Sequence, residues 1–288
     1  MKVARSPAEL EPAARAVALG TFDGVHLGHR RVIAETRATG LRSTVVTFDP
    51  HPRVVFGNQV ELLSTLERRL ELLEELGVDD TLVIEFTLEL ARLEPGEFVE
   101  EVLRPIGAEV IVAGADFRFA RGRQADLGTL VEHGFDVREV ELLPEVSSTR
   151  IRDLIRQGRV EEAAPLLARA VEVEGTVVTG DARGGTLGFP TANLRVPPNL
   201  LVPAFGIYAG AADEHRAAIS IGMNPHYGGR ERRVEAHLLD FSGDLYGRRL
   251  VLGVWQRLRD ERAFDSEADL IAQIAQDVET ARFATAPI

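Results

Sequence analysis

The chain contains no cysteine, and among its 33 basic residues only Lys2 is a lysine. The lack of cysteine excludes disulfides, thiolate metal ligands and a cysteine nucleophile, whatever the compartment. The lack of a second lysine excludes a phosphate-binding loop of the GxxxxGK[ST] form and a Schiff-base lysine in the interior of the chain. Phosphate groups would therefore have to be bound by arginine, histidine, hydroxyls, backbone N–H groups or a metal ion.

The sequence also lacks a long apolar run and an apolar segment near its first residue. We therefore expect a cytoplasmic protein with no membrane partner. The formal net charge of −12 argues against a nucleic-acid partner, because surfaces that bind nucleic acid are basic. The 288 residues, 45% of them apolar, suffice for two domains or one large one, and they leave the oligomeric state open.

Short β-rich runs alternate with helical patterns over the first half of the chain. This alternation predicts a doubly wound parallel sheet with helices on both faces. Ser64 with Glu67 predicts a capping box at the start of one helix. The expected strands are 17–20, 41–49, 81–86, 108–113 and 137–142, and the expected helices are 27–39, 66–77, 95–104, 124–133 and one that runs on through 153–169.

Four polar motifs each follow one of these strands. Ligands of parallel sheets bind beyond the carboxyl ends of the strands, so we expect the four motifs to converge on one crevice. The motifs are TFDGVHLGH (21–29), TFDPHP (47–52), GADFRF (114–119) and SSTRIR (147–152).

The first motif places His26 and His29 at the start of a predicted helix, with Gly28 between them. Free N–H groups at a helix start suit a phosphate, and Gly28 would let a ligand approach the backbone closely. Two histidines at this spacing are also common as plain surface residues or as metal ligands. Zinc is disfavoured here, because neither a cysteine nor a nearby carboxylate completes the ligand set.

The second half has a different pattern. From Val171 onward, six short β-rich runs separated by turn residues predict an antiparallel barrel, and a helix begins at Ser266. Thr191 and Asn193 lie two residues apart on a strand, so they face the same way and suit Mg²⁺ that completes its shell with a triphosphate and water. A lone strand glutamate such as Glu235 is more often a solvated residue than a catalytic one.

Five motifs in this order resemble the bacterial bifunctional riboflavin kinase/FMN adenylyltransferases, the FAD synthetases. They are GTFDGVHLGH, the PHP loop, SSTRIR, LGFPTAN, and VEAHLLDF followed by GDLYG. HxGH alone is typical of a nucleotidyltransferase superfamily that shares this motif with class I aminoacyl-tRNA synthetases, but the lysine-containing second motif of those synthetases is absent here, because Lys2 is the only lysine. The resemblance implies an α/β chain: a Rossmann-like nucleotidyltransferase domain at 1–165, then a six-stranded antiparallel flavokinase barrel with a C-terminal helix at 166–288.

The resemblance also implies two reactions, phosphorylation of riboflavin by ATP and adenylylation of FMN by ATP, with Mg²⁺ as cofactor and flavins and ATP as small-molecule partners. It assigns catalysis to His26, His29 and the general base Glu235, and the metal to Thr191 and Asn193. Weaker matches for flavin binding are Asp49, His51 and Asp116. The expected contacts to ATP and its phosphates are Gly20, Phe22, Asp23, Gly24, Gly28, Ser148, Thr149, Arg152 and Gly188.

The chain departs from the family pattern in four places. A glycine usual near Ala120 and a basic residue usual near Gly185 are absent, His226 lies in an altered Asn-Pro-Thr-Phe motif, and residues 168–171 lack a Gly-Arg-Pro-Tyr stretch. These departures bear on affinities and on the domain junction. Two alternatives stay open: an enzyme in which only one activity is live, and a non-catalytic flavin-binding protein.

Overall fold

The computed structural model describes residues 1–180, 187–223 and 232–287. The chain divides into two compact units, Met1–Ser148 and Thr149–Ile288. Over the described ranges, no helix combines the length and the apolar character needed to cross a bilayer.

The first unit is built on a six-stranded sheet with the strand order β1-β4-β3-β2-β5-β6. Every neighbouring pair in it is parallel, as the alternating pattern predicted. The added edge strand β1 was not predicted, because its three residues form no apolar run. The strands are β1 Lys2–Ala4, β2 Arg15–Leu19, β3 Arg42–Asp49, β4 Asp80–Glu85, β5 Ala108–Gly114 and β6 Asp136–Val140.

Five α-helices connect these strands: α1 Leu27–Ala38, α2 Pro52–Val55, α3 Leu66–Glu75, α4 Pro95–Phe98 and α5 Leu127–Glu132. Short 3-10 turns lie at Pro7–Glu9, Leu90–Arg92 and Arg121–Arg123, and a π-helical segment, Val99–Leu103, extends α4. The capping box predicted at Ser64 is wrong. Thr65 caps α3 by accepting from the Arg68 N–H, while the Ser64 hydroxyl accepts from the Gly24 N–H at 3.1 Å.

Both faces of the sheet are buried. On β2, Ala16 and Ala18 pack into one core with α1 and α3, whereas Val17 and Leu19 pack into the core on the opposite face. Alternate side chains of a strand point to opposite faces, so a strand covered on both sides must be apolar throughout. This is why β2 is a continuous apolar run rather than an alternating one.

A buried ion-pair network joins the amino ends of three strands. Asp80 is fully buried and Arg15 is 1% exposed, and the Arg15 Nε lies 3.3 Å from Asp80 Oδ2. Arg42 binds both carboxylate oxygens of Asp80, at 2.5 and 2.9 Å. The hydrogen bonds that Arg42 donates to the Asp80 carboxylate raise the pKa of the Arg42 guanidinium. Because a buried arginine needs its counter-ion, this carboxylate holds β2, β3 and β4 together.

We expect Asp80→Asn to destabilise the first unit by about 3–5 kcal/mol, because Arg15 would be left buried without a counter-ion. Urea unfolding followed by circular dichroism measures the loss. The single tryptophan, Trp255, lies in the second unit, so its fluorescence reports that unit separately and should be unchanged. Asp136→Asn is the matched control, because Asp136 is an exposed strand carboxylate. Equal unfolding midpoints for Asp80→Asn and the parent would show that the network is dispensable.

The second unit is a closed six-stranded barrel with the order β10-β11-β8-β7-β12-β9. All six neighbouring pairs are antiparallel, which confirms the predicted barrel. Its strands are β7 Val171–Val178, β8 Ala192–Arg195, β9 Gly206–Ala212, β10 His215–Met223, β11 Arg232–Leu238 and β12 Arg249–Arg259. The predicted C-terminal helix is α8, Glu267–Phe283, capped by Ser266, whose hydroxyl accepts from the Asp269 N–H.

The helix expected to run on through 153–169 is two helices, α6 Ser148–Arg156 and α7 Val160–Leu167. They are separated at Gly158, where φ is +74° and an added Cβ would lie 2.8 Å from the Tyr208 hydroxyl. A side chain is therefore excluded both by the backbone conformation and by space. Helix α7 packs on β12 and β7 and so belongs to the barrel unit.

Candidate active sites

In the first unit, His26 is the N-cap of α1, and only His29 lies within the helix. The His26 Nδ1 accepts a hydrogen bond from the His29 backbone N–H at 3.3 Å. A ring nitrogen that accepts a hydrogen bond carries no proton, so the ring N–H of His26 is the one at Nε2. His26 can therefore donate to a ligand through Nε2 while its other nitrogen caps the helix.

The two histidine rings are stacked, with centroids 3.6 Å apart and planes 13° from parallel. Phe22 packs against His29 from another side, at 5.1 Å between centroids. A Cβ added at Gly28 would meet the His26 ring at 3.2 Å. The absence of a side chain at Gly28 therefore leaves room for the His26 ring, a role that the sequence did not suggest.

Hydrogen bonds connect the loop before α1 to the segment before α3. Asp23 is buried, and its Oδ1 accepts from the backbone N–H groups of Leu63 at 2.9 Å and Ser64 at 3.2 Å. Gly24 has a φ of +78°, and an added Cβ would lie 2.7 Å from the Leu63 side chain. This carboxylate therefore positions the loop that leads to the two histidines.

The second motif lies against the first. The Thr47 hydroxyl donates to the Thr21 carbonyl at 2.9 Å. His51 caps α2, with its Nδ1 accepting from the Arg53 N–H at 3.2 Å. Asp49 ends β3. The carboxyl ends of β3 and β2 are thereby joined, as the convergence of motifs predicted.

The third motif follows β5, the other neighbour of β2, and this places Asp116 on the same edge of the sheet. Within the third motif, the Phe117 N–H donates to the Gly114 carbonyl at 2.9 Å in a tight turn. Ala120, near the position where the family pattern has a glycine, has a φ of +61° and a ψ of −171°. Glycine adopts this conformation most easily, so alanine at this position is strained.

Arg69 of α3 is part of this region, and sequence reasoning missed it. It is 1% exposed, and its Nη1 donates to the Thr47 hydroxyl at 3.3 Å and to the Phe48 carbonyl at 3.2 Å. Burial lowers the pKa of Arg69, while the charges of Asp23 and Asp49 act in the opposite direction. The feature of the sequence that could have indicated this role is that Arg69 is a charged residue on the otherwise apolar face of α3.

The fourth motif starts at the border between the units. The Ser148 hydroxyl donates to the Asp23 carbonyl at 3.5 Å, so it reaches the loop of the first motif. Thr149 and Arg152 follow on α6 in the second unit, and Arg152 is buried. The structure therefore brings Ser148 to the histidine loop.

In the second unit, the predicted metal ligand Asn193 and the predicted base Glu235 are on neighbouring strands, whereas Thr191 lies just before β8 and not on a strand as predicted. Glu235 on β11 lies opposite Asn193 on β8 and opposite Ser220 on β10. The Asn193 amide donates to the Thr191 carbonyl at 3.5 Å. An added Cβ at Gly180 would lie 2.3 Å from the Asn193 amide, so a larger residue at 180 would force this side chain to move.

Glu235 is not the solvated strand residue that its type suggests. Its side chain is 18% exposed, and one carboxylate oxygen lies 3.4 Å from the Arg233 guanidinium. Along β11, residues 234, 236 and 238 are buried, so Glu235 lies on the face directed away from the barrel core. A largely covered carboxylate next to two oxygen-bearing side chains can accept a proton beside a bound metal.

In the described part of the chain, no three or more histidine, aspartate and glutamate side chains group as a metal site. Two neutral oxygen donors instead fit Mg²⁺ whose remaining ligands come from a triphosphate and water. Gly188, just before this motif, has a φ of +87° and open space around it, so its backbone conformation alone favours glycine. Gly185 and His226 lie outside the described residues.

Two family models match the chain in succession, FAD synthetase over residues 8–153 and riboflavin kinase over residues 167–285. Curated relatives described as bifunctional riboflavin kinase/FMN adenylyltransferase include one from Listeria monocytogenes, 37% identical over 93% of this chain and 91% of its own length. One from Bacillus subtilis is 33% identical over 94% and 92%, and one from Escherichia coli is 34% identical over 92% and 90%.

A solved structure from Streptococcus pneumoniae, described as a macrolide-efflux protein, superposes with a TM-score of 0.89. It is 30% identical and covers 98% of this chain and 99% of its own. The match to this solved structure therefore includes both units, and so do the matches to the two family models and to the curated relatives. The chain belongs to the family of bifunctional riboflavin kinase/FMN adenylyltransferases.

Proposed function

We propose that this chain makes FAD from riboflavin at two separate sites. The barrel phosphorylates riboflavin to FMN, and the parallel-sheet unit transfers AMP from ATP to FMN with release of pyrophosphate. The observation that carries the proposal is that each half of the chain matches its own family model, FAD synthetase in the first half and riboflavin kinase in the second. Flavins and ATP are the partners we propose, with no role for nucleic acid, in the cytoplasm.

In the adenylyl transfer, a phosphate oxygen of FMN attacks the α-phosphorus of ATP, and the bond to pyrophosphate breaks. The nucleophile is already an anion, so the site needs donors to the developing charge rather than a base. His26 would donate through Nε2, and His29 would donate from the first turn of α1, where the helix dipole also favours negative charge. The residues proposed to bind ATP and its phosphates are Gly20, Phe22, Asp23, Gly24, Gly28, Ser148, Thr149 and Arg152.

We place FMN along the carboxyl edge of the sheet, near Asp49, His51 and Asp116. The support is that these residues lie at or just after the carboxyl ends of β3 and β5, the two neighbours of the strand that leads to His26. For His51, the nitrogen Nε2 is the one that would face a ligand, because Nδ1 caps α2.

In the kinase reaction, a neutral hydroxyl of the ribityl chain attacks the γ-phosphorus of ATP. An alcohol needs a base, and Glu235 would accept its proton as the new P–O bond forms and the bond to ADP breaks. Thr191 and Asn193 would hold Mg²⁺, which neutralises charge on the triphosphate when bound. Gly188 would allow the phosphates to approach the backbone.

We assign residues 1–165 to the adenylyltransferase domain and 166–288 to the kinase domain. The family models support a junction here, because they leave residues 154–166 unmatched. Helix α7 crosses this point and packs on the barrel, so a kinase fragment for expression should begin before Val160.

The test is to incubate the purified protein with riboflavin, ATP and Mg²⁺ and to separate the flavins by chromatography over time. We expect FMN to appear first and FAD to follow, and FMN supplied directly to give FAD. Formation of only one product would show that a single activity is live. Binding of flavin without turnover of either substrate would favour a non-catalytic flavin-binding protein.

A further inference from the structure

We propose that His237 is a positioning residue for the kinase reaction. Its imidazole fixes residues 189–190, and thereby Thr191 and Asn193, in place beside Glu235. The inference rests on the proposed riboflavin kinase activity and gives a role to His237, a residue of the VEAHLLDF motif.

Two contacts join His237 to the segment before Thr191. The His237 Nδ1 lies 2.8 Å from the Pro190 carbonyl oxygen. A carbonyl oxygen can only accept, so Nδ1 must carry the proton and donate it. The Phe189 ring meets the His237 ring edge to face, at 5.6 Å between centroids and 82° between planes. The His237 side chain therefore contacts two consecutive residues, Phe189 and Pro190.

The segment needs such an anchor. Residues 187–191 lie in neither a helix nor a strand, so no regular backbone ladder determines their position. Pro190 also has no backbone N–H to donate. The ladder starts only at β8, where Ala192 pairs with Ala236, the residue before His237. His237 thus extends the attachment of β8 to β11 past the last backbone pair, through the residue that precedes Thr191.

The strand β11 carries both parts of the arrangement. Glu235 and His237 are two residues apart, so their side chains are on the same face of the strand. Glu235 lies opposite Asn193 in the register, and His237 holds the residue before Thr191. A loss of the Nδ1–H bond would let the metal-binding oxygens move relative to the base, which impairs use of Mg²⁺-ATP before it impairs flavin binding.

The test compares three variants of the full-length protein. His237→Phe keeps a ring to pack on Phe189 but has no N–H. His237→Asn places an amide N–H at the position of Nδ1, and His237→Gln places one at the position of Nε2. We expect the Phe and Gln variants to lose roughly tenfold in kcat/KM for Mg²⁺-ATP and to need more Mg²⁺, while the Asn variant stays within about threefold of the parent.

Adenylylation of supplied FMN by the same variants is the internal control and should be unchanged, because His237 lies in the other unit. Parental kcat/KM in His237→Phe would overturn the proposal. Rescue by glutamine but not asparagine would also overturn it, since Nε2 would then be the acting atom. Absence of riboflavin phosphorylation in the parent would instead refute the proposed kinase function, so the two failures are distinguishable.

Discussion

Glu235→Gln should reduce riboflavin phosphorylation by roughly two to four orders of magnitude. Glutamine has almost the same volume and can still accept a hydrogen bond, but it cannot take the proton from the ribityl hydroxyl. The loss should therefore fall on kcat, with riboflavin affinity largely kept. Initial rates of FMN formation at saturating Mg²⁺-ATP, together with flavin binding followed by fluorescence, separate the two quantities.

The same Glu235→Gln protein provides its own control, because FMN supplied directly should still be converted to FAD at the parental rate. Glu267→Gln, at the exposed start of α8, controls for the loss of one negative charge from the second unit. A parental rate of riboflavin phosphorylation in Glu235→Gln would remove this residue as the base. Parallel loss of both activities would indicate a general defect in folding instead.

The two sheets could be predicted because their patterns are repeated many times along the chain. Continuous apolar runs such as β2 require cover on both faces, and alternating runs such as β11 require a buried and an open face. The edge strand β1 and the cap at Thr65 could not be predicted in this way. A strand of three residues is too short to show a hydrophobic period. By residue type Ser64 and Thr65 are equally good helix caps, and what distinguishes them is the hydrogen bond that Ser64 accepts from the Gly24 N–H.

The candidate sites were predictable to the extent that local spacing determines them. His26 and His29 could be placed at a helix start, and Asn193 on a strand, from the sequence alone, whereas Thr191 lies just before the strand on which it was predicted. The contacts of Asp23, Arg69 and His237 could not. Each joins segments that are distant in the chain, such as the 40 residues between Asp23 and Leu63. Residue types alone do not show which distant partners the fold will bring together.

His29→Ala should reduce FAD formation from FMN by roughly two to three orders of magnitude, because one preorganised donor to the developing charge is worth about 3–4 kcal/mol. The variant suits this test structurally. The His26 ring accepts from the backbone N–H of residue 29, not from its side chain, so alanine preserves the helix cap. His26→Ala would remove the cap and the donor together, and its result would be harder to interpret.

Supplied with riboflavin, ATP and Mg²⁺, the His29→Ala protein should accumulate FMN, since the barrel is unaltered. Chromatography of the flavins measures both rates in one reaction. His133→Ala is the control for loss of a histidine from the same unit. His133 follows α5, and the hydrogen bonds described for it involve its backbone rather than its ring: its carbonyl accepts from Arg104 and its N–H donates to the Thr129 carbonyl. If His29→Ala makes FAD as fast as His133→Ala does, the charge on the departing pyrophosphate is stabilised elsewhere, with His26 and Arg152 as the remaining donors to test.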